Sequence, residues 1–314
     1  MKGLDVRRAC ELTPQAAAQR WLIDDLWGES AVGIVGGEPK CCKSFLALSM
    51  AVSVAAGVPC LGRFAAPRRG PVLLYAAEDA VHIVRARLEG ICTSAQVPLD
   101  SLDVHVIVDP VVRLDVEADR VRLREAVTRL RPRLVVLDPF VRLHRVDENA
   151  AAEVAPLLAH LRALQRELGC AVVLVHHARK GGHARAGQAL RGSSELHAWG
   201  DSNLYLRRDG ERLLLSIEHR AAASSSGIEL ALGERGGGLT LHVREDMPSA
   251  APDRPRSPAD RILEALGGAT EPLTRRELRD TCRLRNATLV DTLAALQADG
   301  RVRVDSGRVQ LALV

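Results

Sequence analysis

One short glycine-containing segment, which ends in adjacent lysine and serine, constrains the fold of this chain more than any other. Residues 36–44 read Gly-Gly-Glu-Pro-Lys-Cys-Cys-Lys-Ser. They follow the apolar run 32–35 and open a stretch with the pattern of a helix, 43–56. A strand, a glycine turn and a helix in this order form a loop whose backbone N–H groups surround phosphate oxygens at the helix N-terminus. The segment therefore predicts a nucleotide-binding α/β domain.

The loop also predicts roles for single residues. Gly37, Lys43 and Ser44 match the pattern GxxxxGK[ST], whereas Cys42 occupies the position of the second glycine. Lys43 is expected to bridge the β- and γ-phosphates of ATP, and Ser44 to coordinate Mg²⁺. The Cβ of Cys42 is expected to crowd the phosphates or strain the turn. The predicted nucleotide-binding residues are Gly37, Glu38, Pro39, Lys40, Cys41, Cys42, Lys43 and Ser44.

Two further apolar runs end in carboxylates. The run 134–138 ends in Asp138 and has the form of a Walker B strand, whose carboxylate would hold Mg²⁺ with Ser44. The run from 72 ends in Glu78 and Asp79. Glu78 is the predicted catalytic group that polarises the attacking water, with Asp79 as the second choice. The alternative interpretation is that these two acids cap the helix that follows.

Two adjacent histidines follow the apolar run 171–175. Side chains of neighbouring strand residues point to opposite faces, so at most one of His176 and His177 faces the nucleotide. A neutral imidazole there would sense the γ-phosphate, and His176 is the favoured candidate. Zinc binding is the weaker interpretation, because no third ligand stands at the spacing of a metal site.

A basic stretch follows the histidines. Lys180 and Arg185 lie among glycines, and this composition suits a loop that touches DNA phosphates. The alternative is a solvated surface loop. Arg191 is a candidate arginine finger that would reach the nucleotide of a neighbouring subunit, and Arg207 and Arg208 compete for that role.

The rest of the chain divides into segments of different composition. Short apolar strands are predicted at 32–35, 72–75, 104–108, 134–137 and 171–175, and helices at 43–56, 80–88, 117–130 and 151–168. This alternation predicts a mainly parallel sheet covered on both faces. Strands at 204–207, 212–219, 228–232 and 238–243 predict an antiparallel extension. The predicted organisation is a lead-in segment at 1–30, an ATPase core at 31–245, a proline-rich linker at 246–257 and a C-terminal module at 258–314.

The C-terminal module has the pattern of a winged helix-turn-helix, with three helices and a β-hairpin. The third helix begins at Asn286, so Arg285 and Asn286 are predicted to reach DNA base edges, and Arg301 and Arg303 on the hairpin to contact the backbone. Residues 257–314 carry nine arginines against eight acidic residues, a weak positive balance. A module that docks a protein is therefore the alternative.

Composition bounds what the whole chain does. Its 314 residues are 47% apolar and 26% charged with a net charge of +4, which is an ordinary globular balance. Aromatic residues make up only 3%, which argues against base stacking as the main recognition device. The seven cysteines form no CxxC pair, and neither an apolar leader nor a long apolar span is evident. The expected protein is cytoplasmic, without a membrane partner.

Together these motifs resemble one family. The set is Gly37–Ser44, Tyr75–Asp79, Leu134–Asp138, His176-His177 and Arg191-Gly192-Ser193-Ser194. Over residues 20–245 it resembles the RecA-like P-loop ATPases of the plasmid RepA type, which are hexameric replicative helicases. The resemblance implies an ATP- and Mg²⁺-dependent ring that acts on DNA, with replication proteins as further partners. It assigns Glu78 as base, His176 or His177 as sensor and Arg191 as finger in trans. The alternatives are a DNA-bound ATP switch and a loader protein with little hydrolysis.

Overall fold

The chain forms two compact units, Met1–Ser249 and Ala250–Val314. The computed structural model describes residues 6–11, 21–177, 194–244, 258–268, 271–282, 286–305 and 307–312. The predicted linker 246–257 lies outside these ranges. Within them, no helix has the length and apolar character needed to cross a membrane.

The first unit consists of eleven strands and five α-helices within the described residues. The strands are β1 (Trp21–Ile23), β2 (Trp27–Gly28), β3 (Val32–Gly37), β4 (Val72–Ala76), β5 (Val104–Val106), β6 (Leu134–Asp138), β7 (Ala171–His177), β8 (Ser202–Asp209), β9 (Arg212–His219), β10 (Ser225–Arg235) and β11 (Gly238–Val243). The helices are α1 (Lys43–Ala56), α2 (Val81–Ser94), α3 (Glu117–Leu130), α4 (Ala151–Leu168) and α5 (Ser194–Trp199). Short 3₁₀ helices lie at Ala9–Glu11, Leu99–Ser101 and Phe140–Arg142.

A nine-stranded sheet runs through this unit in the order β11-β10-β9-β8-β3-β7-β6-β4-β5. The strands from β5 to β8 in this order are parallel, and β8 to β11 pair antiparallel. The prediction of a mainly parallel sheet with an antiparallel extension is confirmed. Strand β7 lies between β3, which leads into the glycine loop, and β6, which ends in Asp138.

Helices cover the sheet on both faces. One core contains the buried residues of α1 and α2, and the other those of α3, α4 and α5. The central strands are therefore apolar over most of their length, up to Asp138 on β6 and His176 and His177 on β7, as parallel strands buried on both faces require. Alternate residues of each strand belong to opposite cores; on β7, Val175 packs in the core with α1 and Leu174 in the core with α4.

The N-terminal segment differs from its prediction. Strands β1 and β2 form a hairpin, and Leu22, Ile23 and Trp27 are fully buried in the first core. The Trp27 indole N–H donates to the carbonyl of Ala31 at 3.3 Å. The segment 1–30, predicted as a lead-in, thus contributes buried residues to the core from Leu22 onward.

Strand β3 approaches β8 so closely that only glycine fits at two positions. A Cβ on Gly33 would lie 1.7 Å from the Ser202 carbonyl oxygen, and one on Gly37 would lie 2.4 Å from that of Leu206. No side chain is tolerated at such distances. The close approach places the end of β8 directly beside the start of the glycine loop.

The second unit contains the elements predicted for the C-terminal module and one additional strand. They are α6 (Pro258–Gly267), β12 (Leu273–Thr274), α7 (Arg275–Cys282), α8 (Asn286–Ala298), β13 (Val302–Asp305) and β14 (Arg308–Leu311). The sheet order is β12-β14-β13, and only the two-residue strand β12 lacked a sequence signal. A capping box opens α7: the Thr274 amide donates to Glu277 at 2.7 Å, and the Glu277 amide to the Thr274 hydroxyl at 3.2 Å.

Candidate functional site

The ends of four parallel strands meet at one edge of the sheet. Gly37 at the end of β3 is paired with His177 of β7, and Ala76 of β4 is paired with Asp138 of β6. The glycine loop and the N-terminus of α1 lie at the same edge. Ligands of open parallel sheets bind at the carboxyl ends of the strands. The loop and the predicted acidic residues are therefore brought together as the sequence requires.

Lys43 is held inside the loop. Its side chain is 5% exposed, and Nζ donates to the Glu38 carbonyl oxygen at 2.7 Å. Burial lowers the pKa of Lys43, although the charge of Asp138 opposes this shift. A cation that is kept in place without full hydration binds an anion strongly when one enters the loop.

Ser44 and Asp138 lie close together. The Ser44 hydroxyl is within electrostatic reach of the Asp138 carboxylate, which is 8% exposed. Burial raises the pKa of Asp138 to about 6, with Asp79 and Glu78 acting in the same direction and Ser44 and Lys43 opposing it. A buried carboxyl group of this kind is stabilised in its ionised form when a metal cation takes the place of its proton.

Ser44 and Asp138 suit Mg²⁺, which needs few protein ligands, better than a metal ion that is coordinated by protein side chains alone. Among the described residues, no three His, Cys, Asp or Glu side chains are grouped so that they could hold a metal ion. Mg²⁺ uses few protein ligands and completes its shell with water and phosphate oxygens. The Ser44 hydroxyl and the Asp138 carboxylate are suitable ligands of this type.

Cys42 stands in a backbone conformation that favours glycine. Its φ is 60° and its ψ is 24°, so the residue is left-handed at the position where the loop pattern has glycine. This conformation costs a non-glycine residue about 1–2 kcal/mol, and the strain that the sequence predicts is thus located in the backbone. Burial raises the pKa of both Cys41 and Cys42, so neither thiol is activated as a thiolate. The two cysteines are therefore interpreted as small residues that fit the tight loop rather than as a reactive pair.

The acids after β4 carry arginine partners that sequence reasoning missed. The Arg142 Nε donates to Glu78 Oε1 at 2.8 Å, and Asp79 is paired with Arg87. Glu78 also lines an open cleft of about 550 Å³ with Arg142. Both acids raise the pKa of Asp138, so both lie within electrostatic reach of it. The assignment of Glu78 as catalytic base stays a prediction.

The two histidines face opposite sides of the sheet. His176 is 1% exposed and its ring packs 6.1 Å from that of Phe140, a member of the core with α4. His177 alternates with it and shares the face of Val175, which packs in the core with α1. His177, which is paired with Gly37, thus lies on the face of α1, and the preference for His176 as the residue that faces the nucleotide stays a prediction.

Arg208 lies near the loop within the same chain. Its backbone and its charge both act to lower the pKa of Cys41, and its charge acts in the same direction on Cys42. Only the pairing of β3 with β8 brings it there, so the local sequence carried no signal for this contact.

The other predicted site residues are spread over the chain. Lys180, Arg185, Arg191 and Arg285 lie outside the described residues. In the second unit, Asn286 begins α8, Arg301 precedes β13 and Arg303 lies on β13, and all three are exposed. Their predicted contacts with DNA stay predictions.

The parallel sheet, the loop that opens a helix and the Ser44–Asp138 pair define a P-loop nucleotide-binding protein. A family model described as AAA domain matches residues 4–183, more than half of the chain. The chain belongs to this family of AAA-type P-loop ATPases. Membership implies nucleotide binding, typically together with Mg²⁺.

Replacing Cys42 with glycine tests the strain in the loop. Cys42→Gly is expected to stabilise the protein by about 1 kcal/mol, because the left-handed conformation then has no Cβ penalty, less a small entropy loss. Cys41→Gly is the matched control, since Cys41 is buried and has no positive φ. Urea unfolding at neutral pH measures both. Equal destabilisation by the two changes would contradict a strained Cys42.

The raised pKa of Asp138 predicts a pH-dependent stability in protein free of metal and nucleotide. The folded state keeps a proton that the unfolded state loses near its ordinary pKa, so stability falls as pH rises from about 4 through about 6. The loss amounts to about 3 kcal/mol from this group. Asp138→Asn should remove it, and the variant should gain stability over wild type between pH 5 and pH 8. A difference in the free energy of unfolding that stays constant over that interval would contradict the raised pKa of Asp138.

Proposed function

We propose that this protein binds ATP with Mg²⁺ at the loop 37–44, hydrolyses it, and acts on DNA as a ring-forming ATPase of the plasmid RepA type, a helicase or translocase in replication. The observation that carries the proposal is the convergence of Lys43, Ser44 and Asp138 at one edge of the sheet. A cation, a hydroxyl and a carboxylate close together around a helix N-terminus suit a triphosphate and its metal.

Each residue has a defined task in this proposal. Lys43 exchanges its hydrogen bond with the Glu38 carbonyl for one with a phosphate oxygen, which places positive charge where negative charge develops. Ser44 and Asp138 hold the metal, which neutralises phosphate charge when bound. Glu78 orients the attacking water after it exchanges its contact with Arg142, and His177 contacts the γ-phosphate side.

Action on DNA rests on the second unit and on the resemblance in the strand-end motifs. Helix, strand, two helices and a hairpin follow one another in the order of a winged helix-turn-helix. Asn286 opens α8, the helix that would enter the major groove, and Arg303 lies on the hairpin that would flank the backbone. The ring and the finger Arg191 in trans rest on the sequence alone.

A second candidate function is a DNA-bound switch that binds ATP tightly and hydrolyses it slowly. The left-handed Cys42 favours it, because its Cβ stands where the loop pattern leaves space beside the phosphates. Slow hydrolysis without stimulation by single-stranded DNA, together with tight ATP binding, would select the switch over the helicase.

ATP affinity tests the nucleotide site. Lys43→Ala is expected to weaken ATP·Mg²⁺ binding about 10- to 100-fold, since a hydrogen bond to a charged group is worth about 1.5–3 kcal/mol. Arg212→Ala is the control: it also removes one positive charge, but from a surface pair with Glu229 on β9 and β10. Titration calorimetry measures the affinities, and circular dichroism confirms folding. Wild-type affinity in Lys43→Ala would overturn the proposed site.

DNA binding is tested with the full-length chain. Arg303→Ala is expected to reduce affinity for duplex DNA and to lower the slope of log affinity against log salt by about 1, the value for one lost phosphate contact. Arg212→Ala again provides the control for a change in net charge. An unchanged slope in Arg303→Ala, with a module that captures protein but no DNA, would support a loader instead.

A further inference from the structure

A cluster of two buried histidines and one half-buried glutamate lies next to the proposed site. Glu148 Oε1 is 3.5 Å from His144 Nε2 and 3.8 Å from His176 Nδ1. Both imidazoles have 1% exposed side chains, and Glu148 has a 16% exposed one. Of these three residues, only His176 was among the predicted site residues. Nothing in the local sequence around Glu148 points to this contact.

The cluster joins the ends of two strands that carry site residues. Phe140 lies two residues after Asp138, and its ring centroid is 4.4 Å from that of His144 and 6.1 Å from that of His176. His176 immediately precedes His177 on β7. Asp138 and His177 lie on the face of α1, whereas Phe140 and His176 pack on the other. The cluster therefore lies on the face of the sheet opposite to Asp138 and His177 and packs against the same two strand ends.

A buried charge at this place needs an explanation other than stability. Ionised groups lose hydration when buried, and apolar residues of similar size often stabilise a fold as well or better. Burial alone would raise the pKa of Glu148, but the neighbouring imidazoles, His144 first and then His176 and His177, outweigh it and hold the pKa below its ordinary value. Glu148 is thus kept as a carboxylate that attracts both imidazoles.

We propose that Glu148 is a positioning residue for the ATPase reaction, because its carboxylate holds His144 and His176 and so fixes the end of β7 relative to the end of β6. This inference rests on the proposed function. His177 and Asp138 then keep their places around the triphosphate and its metal without direct contact with Glu148. Displacement of reacting groups by about 1 Å reduces turnover about 100-fold, so loss of this support affects catalysis before it affects binding.

Glu148→Gln removes the charge and preserves the shape. The expected result is a turnover about 10- to 100-fold lower, with an ATP dissociation constant within about twofold of wild type, since Lys43 and the loop backbone are unchanged. Glu148→Asp keeps the charge and should recover part of the turnover. Should Glu148→Gln fail to fold, Glu148→Asp and His144→Gln give the same comparison of turnover with affinity.

Glu29→Gln is the matched control. Glu29 is a largely buried carboxylate, paired with Arg133 at 3.0 Å, at the opposite edge of the sheet just before β3. The Glu29→Gln variant should have a lower melting temperature than wild type. Its turnover, measured well below that temperature, should be unchanged.

Three outcomes separate the claims. A Glu148→Gln protein that behaves like Glu29→Gln, or that loses affinity in parallel with turnover, overturns the positioning role. Absence of ATP binding in wild type overturns the proposed function and this inference with it. Normal wild-type turnover with a selective turnover loss in Glu148→Gln supports both.

Discussion

The closeness of the Ser44 hydroxyl to the Asp138 carboxylate is the constraint on which the candidate site depends. It connects the first turn of α1 with the end of β6, although β7 separates β6 from β3 in the sheet. Because Asp138 is buried and its pKa is raised to about 6, the carboxylate is poised to exchange its proton for a cation. The loop, the helix and the Walker B strand thus act as one site.

Strand packing explains why these two groups lie close together. Gly33 and Gly37 of β3 allow β8 to approach closely, and the apolar central strands bury both faces under helices. Because neighbouring side chains on a strand alternate, the predicted site residues are distributed over both faces of the sheet. Asp138 and His177 point toward α1 and the loop, whereas His176 and Phe140 point into the opposite core, where Glu148 joins them.

Much of the fold could be predicted from sequence, because local patterns determine it. The bounds of α1, α3 and α4 agree with the pattern of apolar residues, and the loop follows from the spacing of Gly37 and Lys43. The face of each histidine could not be predicted, since it depends on which core each strand residue meets. The burial of Trp27 and the contacts of Glu148 depend on distant segments of the chain, so no local pattern marks them.

The most direct test of the nucleotide site is a crystal structure with a non-hydrolysable ATP analogue and Mn²⁺ in place of Mg²⁺. An anomalous peak is expected within coordination distance of both the Ser44 hydroxyl and the analogue's phosphate oxygens, on the side of Asp138. The Lys43 ammonium is expected within hydrogen-bond distance of the terminal phosphate. An analogue bound away from residues 37–44, or a metal remote from Ser44 and Asp138, would contradict the proposed nucleotide site.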